Sequence, residues 1–198
     1  MSITLQEAAA EILTQAADLL SERPGKPVLI AIDGRCGSGK STLGEYLQKT
    51  AGAQLLHMDD YYLRPEQRTR ERYETPGENV DHERFLEEVM EPLSRGEEGL
   101  YRAFRFHEKR FLEGVRVKPE GLIVIEGSYS FHPSLSRFYD LRYFLDSSKE
   151  VQKARIIRRG GEEAWISFRD RWIPLEELYF ANCAVREQAD SVFMLEDE

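Results

Sequence analysis

Gly34-Arg35-Cys36-Gly37-Ser38-Gly39-Lys40-Ser41 fits the spacing G-x-x-x-x-G-K-[ST], and Thr42 carries the chain on into a predicted helix of about residues 40–50. In such a loop the glycines let successive backbone N–H groups turn inward and cradle the β- and γ-phosphates of a nucleotide. The loop delivers those phosphates to a helix N-terminus, whose dipole favours the same negative charge. Lys40 would neutralise phosphate oxygens as a point charge, and the Ser41 hydroxyl would hold Mg²⁺. The bland alternative is a glycine-rich turn beside a stray lysine. Placement argues against it: Val28 to Ile32, just before, is a short branched apolar run typical of a buried parallel strand. The stretch from Gly34 to Thr42 therefore implies a nucleoside triphosphate ligand, with ATP and Mg²⁺ as the expected cofactors.

Further candidates lie where apolar runs end. Ligands of parallel α/β sheets gather at the carboxyl ends of the strands, which here are Asp33, Asp59-Asp60, Glu126 and Asp146. Glu126 is placed to order Mg²⁺ or its waters, and otherwise is a solvated acid. Asp59 or Asp60 could accept the proton of an incoming hydroxyl, the base role in phosphoryl transfer; a turn-forming Asp pair is the alternative. Asp81 precedes a predicted helix from about His82 and suits an N-cap, which does not exclude a ligand role. Arg155, Arg158 and Arg159 flank Gly160-Gly161 at the end of another predicted helix. A mobile arginine closing over the transferring group supplies donors to its equatorial oxygens. Arg158 is the candidate for that role, with Arg155 and Arg159 toward substrate; the other reading is a solvated basic helix end.

The elements that must position these residues follow from periodicity. Leu5, Ala9, Ile12, Leu13, Ala16, Leu19 and Leu20 form a helical stripe closed by Arg23-Pro24-Gly25, an added N-terminal helix within residues 1–25. Strands are expected at 28–32, 54–58, 122–125, 141–145 and 191–195, alternating with helices, the pattern of a parallel sheet between helix layers. Residues 59–80 read as a long polar loop, and 100–107 with 111–117 as a β-hairpin. A helix opening at Ser147-Ser148-Lys149-Glu150 should end near Arg158, leaving an irregular lid over 155–173 before a final helix at Pro174.

The 198 residues suit a single domain, and 41% hydrophobic with 32% charged residues describe an ordinary globular chain. A net charge of −9 argues against a nucleic-acid partner. No stretch approaches the roughly 20 apolar residues of a membrane span, and there is no signal-peptide pattern. Cys36 and Cys183 make neither a disulfide framework nor a zinc pattern, so a cytoplasmic location fits. A homo-oligomer is left open.

Ala31 to Thr42, His57-Met-Asp-Asp-Tyr-Tyr62, Pro76-Gly-Glu-Asn-Val-Asp81 and Val124-Ile-Glu-Gly127 together resemble the uridine kinase and phosphoribulokinase family of P-loop kinases. The motifs cover most of the chain from Val28 onward, in the family's order. The resemblance implies a three-layer α/β/α sandwich with a five-stranded parallel sheet in the order 2-3-1-4-5, a small β-hairpin and an arginine-bearing lid. In that family the aspartate of an Asp-x-Phe-Tyr segment is the base; Asp59 with Tyr62 matches it, Tyr61 replacing Phe. The same match sets Asp81 on ribose hydroxyls and Tyr62 beside the acceptor. Uridine kinases also carry Tyr-Asp-Phe and, shortly after, a His that reads the base. Here Tyr101-Arg102-Ala103-Phe104 and His107 stand there, making Tyr101 and His107 substrate candidates with an arginine in place of the acid. The expected activity is transfer of the ATP γ-phosphate to a hydroxyl of a nucleoside or ribose-like small molecule. The rivals are an anionic acceptor (pantothenate, glycerate or a sugar phosphate), and a P-loop NTPase switch with no acceptor.

Overall fold

In the computed structural model, which describes residues 2–105 and 108–195, six parallel strands run in the order β3-β8-β2-β9-β10-β1. They are β1 (Ser2–Ile3), β2 (Val28–Gly34), β3 (Gln54–His57), β8 (Leu122–Glu126), β9 (Leu141–Asp146) and β10 (Ser191–Leu195). Numbered by appearance without β1, the other five stand in the expected order 2-3-1-4-5. The sixth strand corrects the expected count. Two residues carry no readable alternation; Ser2 and Ile3 become a strand only because β10 offers an open edge, pairing them with Met194 and Leu195.

β2 sits centrally and is buried at every position, which is why it reads as an unbroken apolar run. Its side chains alternate between two cores. Val28, Ile30 and Ile32 meet Ala8, Ile12 and Ala16 of α1 (Leu5–Glu22) and Leu43 and Leu47 of α2 (Lys40–Ala51). Leu29 and Ala31 face Phe85, Val89, Phe131 and Tyr179 on the other side. Thr4 caps α1 through a capping box: Glu7 N donates to Thr4 Oγ1 at 3.2 Å and Thr4 N to Glu7 Oε2 at 2.8 Å.

Residues 59–80 are more ordered than a bare loop, with helical turns at Met58–Tyr61 and Pro65–Gln67 and a helix at Arg70–Glu74. The hairpin forms as two antiparallel pieces. Gly99–Tyr101 (β4) pairs with Val115–Val117 (β7), and Phe104–Arg105 (β5) with Arg110–Phe111 (β6). The lid differs from expectation. Helix continues from Lys149 to Ser167, broken only at Gly161 (φ 75°, ψ −177°), because Glu162 to Ile166 are competent helix residues once a glycine has redirected the chain. A wide turn, Phe168–Trp172, then leads into the helix Ile173–Asn182, where Pro174 has no N–H to continue the earlier ladder.

Candidate active site

β2 ends in Asp33-Gly34, and the backbone there leaves no choice of residue. Gly34 has φ +134°, and a Cβ on it would stand 2.0 Å from Leu145 O on β9. Asp33 is fully buried and receives Gly34 N (2.6 Å), Phe131 N (2.8 Å) and the Tyr179 hydroxyl (2.9 Å). Burial pushes its carboxyl up to about 6 despite these donors. One carboxylate thus ties the start of the phosphate loop to the turn after β8 and to the helix Ile173–Asn182.

Beyond it a cleft of about 500 Å³ opens over the loop residues Cys36, Gly37, Gly39, Lys40, Ser41 and Thr42. Lys40 is buried, its Nζ donating to Gly34 O (2.7 Å) and Arg35 O (2.9 Å), so its charge is held at the loop. Ser41 Oγ donates to Glu126 Oε2 at 3.2 Å, and the other oxygen of this buried acid lies 2.5 Å from His57 Nδ1. The hydrogen bond to Glu126 raises the His57 pKa. A serine hydroxyl and a carboxylate beside a phosphate cradle are hard oxygen donors, the set that Mg²⁺ takes. Cys36 is inert by environment: burial, with Glu176 nearby, pushes its thiol far up, and Gln152 Nε2 sits 3.2 Å from the sulfur.

The turn Met58–Tyr61 separates the aspartate pair. Asp59 lines the cleft and accepts from the Tyr62 hydroxyl at 3.2 Å. Its surface opens to the cleft while protein crowds it from behind. That crowding raises its carboxyl, Glu126 adding to the effect and Lys40 opposing it. Asp60 turns away to the Tyr101 hydroxyl and, at 3.9 Å, to Arg105. Tyr62 stacks on Trp172 of the wide turn, ring centroids 6.1 Å apart. Arg155, Arg158 and Arg159 all reach the cleft. Arg155 donates to Gly37 O at 3.1 Å, and the Arg159 guanidinium lies 5.5 Å over Phe168.

Asp81 and Tyr101 do not line this cleft. Asp81 caps the His82–Phe85 helix and is almost wholly buried, with Arg84 Nε at 3.2 Å and Arg64 Nε at 3.4 Å on the same oxygen. Tyr101 packs behind β3, its hydroxyl accepting from His57 N at 3.2 Å. His107 lies outside the described residues.

Sequence reasoning passed over several participants. Glu176 is buried in the cleft wall, accepting from Cys36 N (3.0 Å) and Ser128 Oγ (2.7 Å). Its neighbour Glu177 pairs with Arg35. Nothing in the local pattern marks Glu176, which meets its partner 140 residues away. Trp172 and the arginines around Asp81 are equally silent until the chain folds. His57 had a signal: it closes β3, one strand from Glu126 in the paired register.

The sequence matches the profile of the phosphoribulokinase / uridine kinase family over residues 29–163. It is 30% identical over 151 residues to the uridine kinase of Brevibacillus brevis, which covers 70% of this chain and 69% of that protein. Among solved structures, a possible uridine kinase from Bacillus stearothermophilus superposes with a TM-score of 0.66 at 19% identity, covering 94% of this chain and 99% of that one. The D-glycerate 3-kinase of Cryptococcus neoformans does so with a TM-score of 0.58 at 18% identity, covering 88% and 87%. Sheet order, phosphate loop and these likenesses make the protein a nucleotide-binding P-loop kinase. Within that class the chain belongs to the phosphoribulokinase / uridine kinase family.

Proposed function

We propose that the protein transfers the γ-phosphoryl group of ATP to a hydroxyl of a small-molecule acceptor, with Asp59 as the general base. The observation that carries this reading is the placement of Asp59, braced by Tyr62, in the same cleft as Lys40 and the loop amides. Loop N–H groups and Lys40 hold the β- and γ-phosphates. Ser41 and Glu126 would hold Mg²⁺, which when bound neutralises charge on those phosphate oxygens. Asp59 takes the acceptor's hydroxyl proton on a carboxylate oxygen, and its raised carboxyl makes it a stronger base than an ordinary aspartate. Arg158, with Arg155 and Arg159, closes over the transferring group, residues 155–173 acting as the lid of a single kinase domain. The balance of charge suits small-molecule chemistry rather than nucleic acid, and no helix among the described residues is long and apolar enough to cross a membrane.

The acceptor reading turns on Asp81. Arg84 and Arg64 both engage one oxygen of Asp81, which counts against that carboxylate holding ribose hydroxyls. Arg64, Arg84 and Arg102 gather within 6.0 Å of the Phe111 ring, paired with Glu66, Asp81 and Glu88, and a carboxylate or phosphate on the acceptor would bind there by exchanging with one of those acids. The Tyr62–Trp172 stack favours the second reading, a nucleoside whose flat base packs there. ADP release above the no-acceptor rate, measured separately with glycerate, pantothenate, ribulose 5-phosphate, uridine and cytidine, tests both. Stimulation by an anionic compound alone supports the first reading, and by uridine or cytidine alone the second. Silence across a wider panel contradicts the kinase mechanism in favour of a switch.

A further inference from the structure

Outside the cleft, three side chains of metal-ligand type meet where residues 75–82 pack against the turn after β8. Glu78 ends a turn in which its N–H donates to Thr75 O at 3.2 Å, His82 opens the helix His82–Phe85, and His132 leads into the short helix Pro133–Ser136. None of the three lines the cleft over the phosphate loop. The two imidazoles are buried and stacked, with ring centroids 3.8 Å apart and 17° between their planes. Their Nδ1 atoms face the Ser134 hydroxyl, at 3.1 Å from His82 and 2.8 Å from His132. Their Nε2 atoms face Glu78, at 3.2 Å from His82 Nε2 to Oε2 and 3.7 Å from His132 Nε2 to Oε1. The longer distance is beyond hydrogen-bond reach, so a nitrogen of His132, a residue only 5% exposed, is left without a hydrogen bond among the described residues. Gly77 permits the close approach: its φ is +86°, and a Cβ on it would stand 3.1 Å from His132 Cδ2.

We propose that Glu78, His82 and His132 form a site for a divalent transition-metal ion of the Zn²⁺ type, which clips residues 75–82 to the turn after β8. One nitrogen of each ring and one carboxylate oxygen lie within 4.8 Å of one another. Ligands about 2.0–2.2 Å from a tetrahedral ion stand roughly 3.3–3.6 Å apart, close to the 3.2 and 3.7 Å found here. Ser134 supplies the outer support. Its oxygen has two lone pairs and can accept an Nδ1–H from each ring, which turns both Nε2 lone pairs toward the ion. That arrangement gives up the contact of Ser134 N with His132 Nδ1 at 3.3 Å. The ion takes the place of the hydrogen bond between His82 Nε2 and Glu78, and water completes its shell on the solvent side of Glu78, whose side chain is 26% exposed. Arg72 borders the site, with Nη1 3.5 Å from Glu78 Oε2. Its closer partner is Glu83 at 2.5 Å, and Glu83 in turn comes within 3.6 Å of His82 Nε2, so two carboxylates stand against one guanidinium. Imidazole nitrogens disfavour Mg²⁺, which prefers oxygen and keeps its waters, so this site does not compete with Ser41 and Glu126 for that ion.

Equilibrium dialysis of the full chain against Zn²⁺ in excess Mg²⁺, with thermal melts in the presence and absence of Zn²⁺, tests this on the wild type, Glu78→Gln, His132→Asn and Ser134→Ala. The wild type should take up Zn²⁺ and melt several degrees higher with it. Loss of a ligand in Glu78→Gln or His132→Asn should weaken binding at least ~100-fold and abolish the shift. Ser134→Ala removes only the outer support and should weaken binding about tenfold. Glu78 is the least buried of the three ligands, and glutamine keeps an acceptor for His82, so Glu78→Gln stays testable if His132→Asn does not fold. Its melt without Zn²⁺ checks that the fold is kept. Wild-type protein that takes up no Zn²⁺ at micromolar concentration overturns the site. Folded Glu78→Gln or His132→Asn protein that binds Zn²⁺ as tightly as the wild type overturns it as well, and places the ion elsewhere, such as at His57 with Glu126.

Discussion

The proposed phosphate end of the cleft and its proposed acceptor end are made of different material. At the phosphate end the working groups are backbone amides and one lysine on the β2–α2 connection, cross-tied by Asp33 to Phe131 and Tyr179. At the proposed acceptor end they are side chains on short turns: Asp59 and Tyr62 from Met58–Tyr62, with Trp172 of the wide turn stacked on Tyr62. A backbone cradle tolerates change in everything but glycine, lysine and the hydroxyl residue, and so persists across acceptors. An acceptor site built from side chains on turns can be re-cut by single substitutions.

The largest separation between the two ends should come from Lys40→Ala. Removing the full positive charge that the loop holds at the transferring phosphate should cut ATP turnover at least ~100-fold in a folded protein. Near-normal turnover would break the assignment of the phosphate end. Asp33→Asn tests the brace beneath it. The amide cannot accept from all three donors, and one unsatisfied buried donor costs about 1–3 kcal/mol, or several degrees in the melting temperature of a chain this size. The sign with pH follows from the raised carboxyl. Wild-type Asp33 contributes its full stability below the ordinary aspartate pKa and loses it as pH rises through about 6. The deficit of Asp33→Asn should therefore be larger at pH 5 than at pH 8, and thermal melts at the two values check it.

At the acceptor end, Trp172→Ala removes the surface on which Tyr62 stacks, an interaction worth about 0.5–1.5 kcal/mol. The acceptor KM should rise several-fold while ATP binding holds; a parallel loss of ATP affinity would show that the two ends are not separable. The smallest effect is expected from Glu176→Gln, which keeps the acceptor for Cys36 N but deletes a negative charge that helps to raise Asp59. The acid limb of kcat/KM should move to lower pH by less than about one unit.

The same contrast explains what was legible in the sequence. Gly34 to Thr42 is contiguous, so its geometry is encoded locally. The strands around it are buried on both faces and announce themselves as apolar runs. Asp59 could be told from Asp60 by resemblance to a family motif, but not by pattern. The outward turn of Asp60 depends on Tyr101, 41 residues away. Glu176 under Cys36, and Arg64 with Arg84 on Asp81, are contacts that no spacing encodes. Helix beyond Arg158 was hidden by Gly160-Gly161, of which only Gly161 leaves helical geometry. Strand Ser2–Ile3 owes its form to the partner edge rather than to its own residues.

The central claim is that Asp59, and not Asp60, removes the acceptor's proton. Acceptor-dependent ADP release across pH, measured for the wild type, Asp59→Asn and Asp60→Asn alongside ATP binding, tests it most directly. The wild type should show an acid limb above the usual carboxylate value of about 4, since the protein crowded behind Asp59 raises it and the base works only when ionised. Asp59→Asn should bind ATP normally, lose turnover by about 10²- to 10⁴-fold and lose the limb, while Asp60→Asn keeps both. An Asp59→Asn protein that retains turnover and limb, or an Asp60→Asn protein that loses them, would contradict the account.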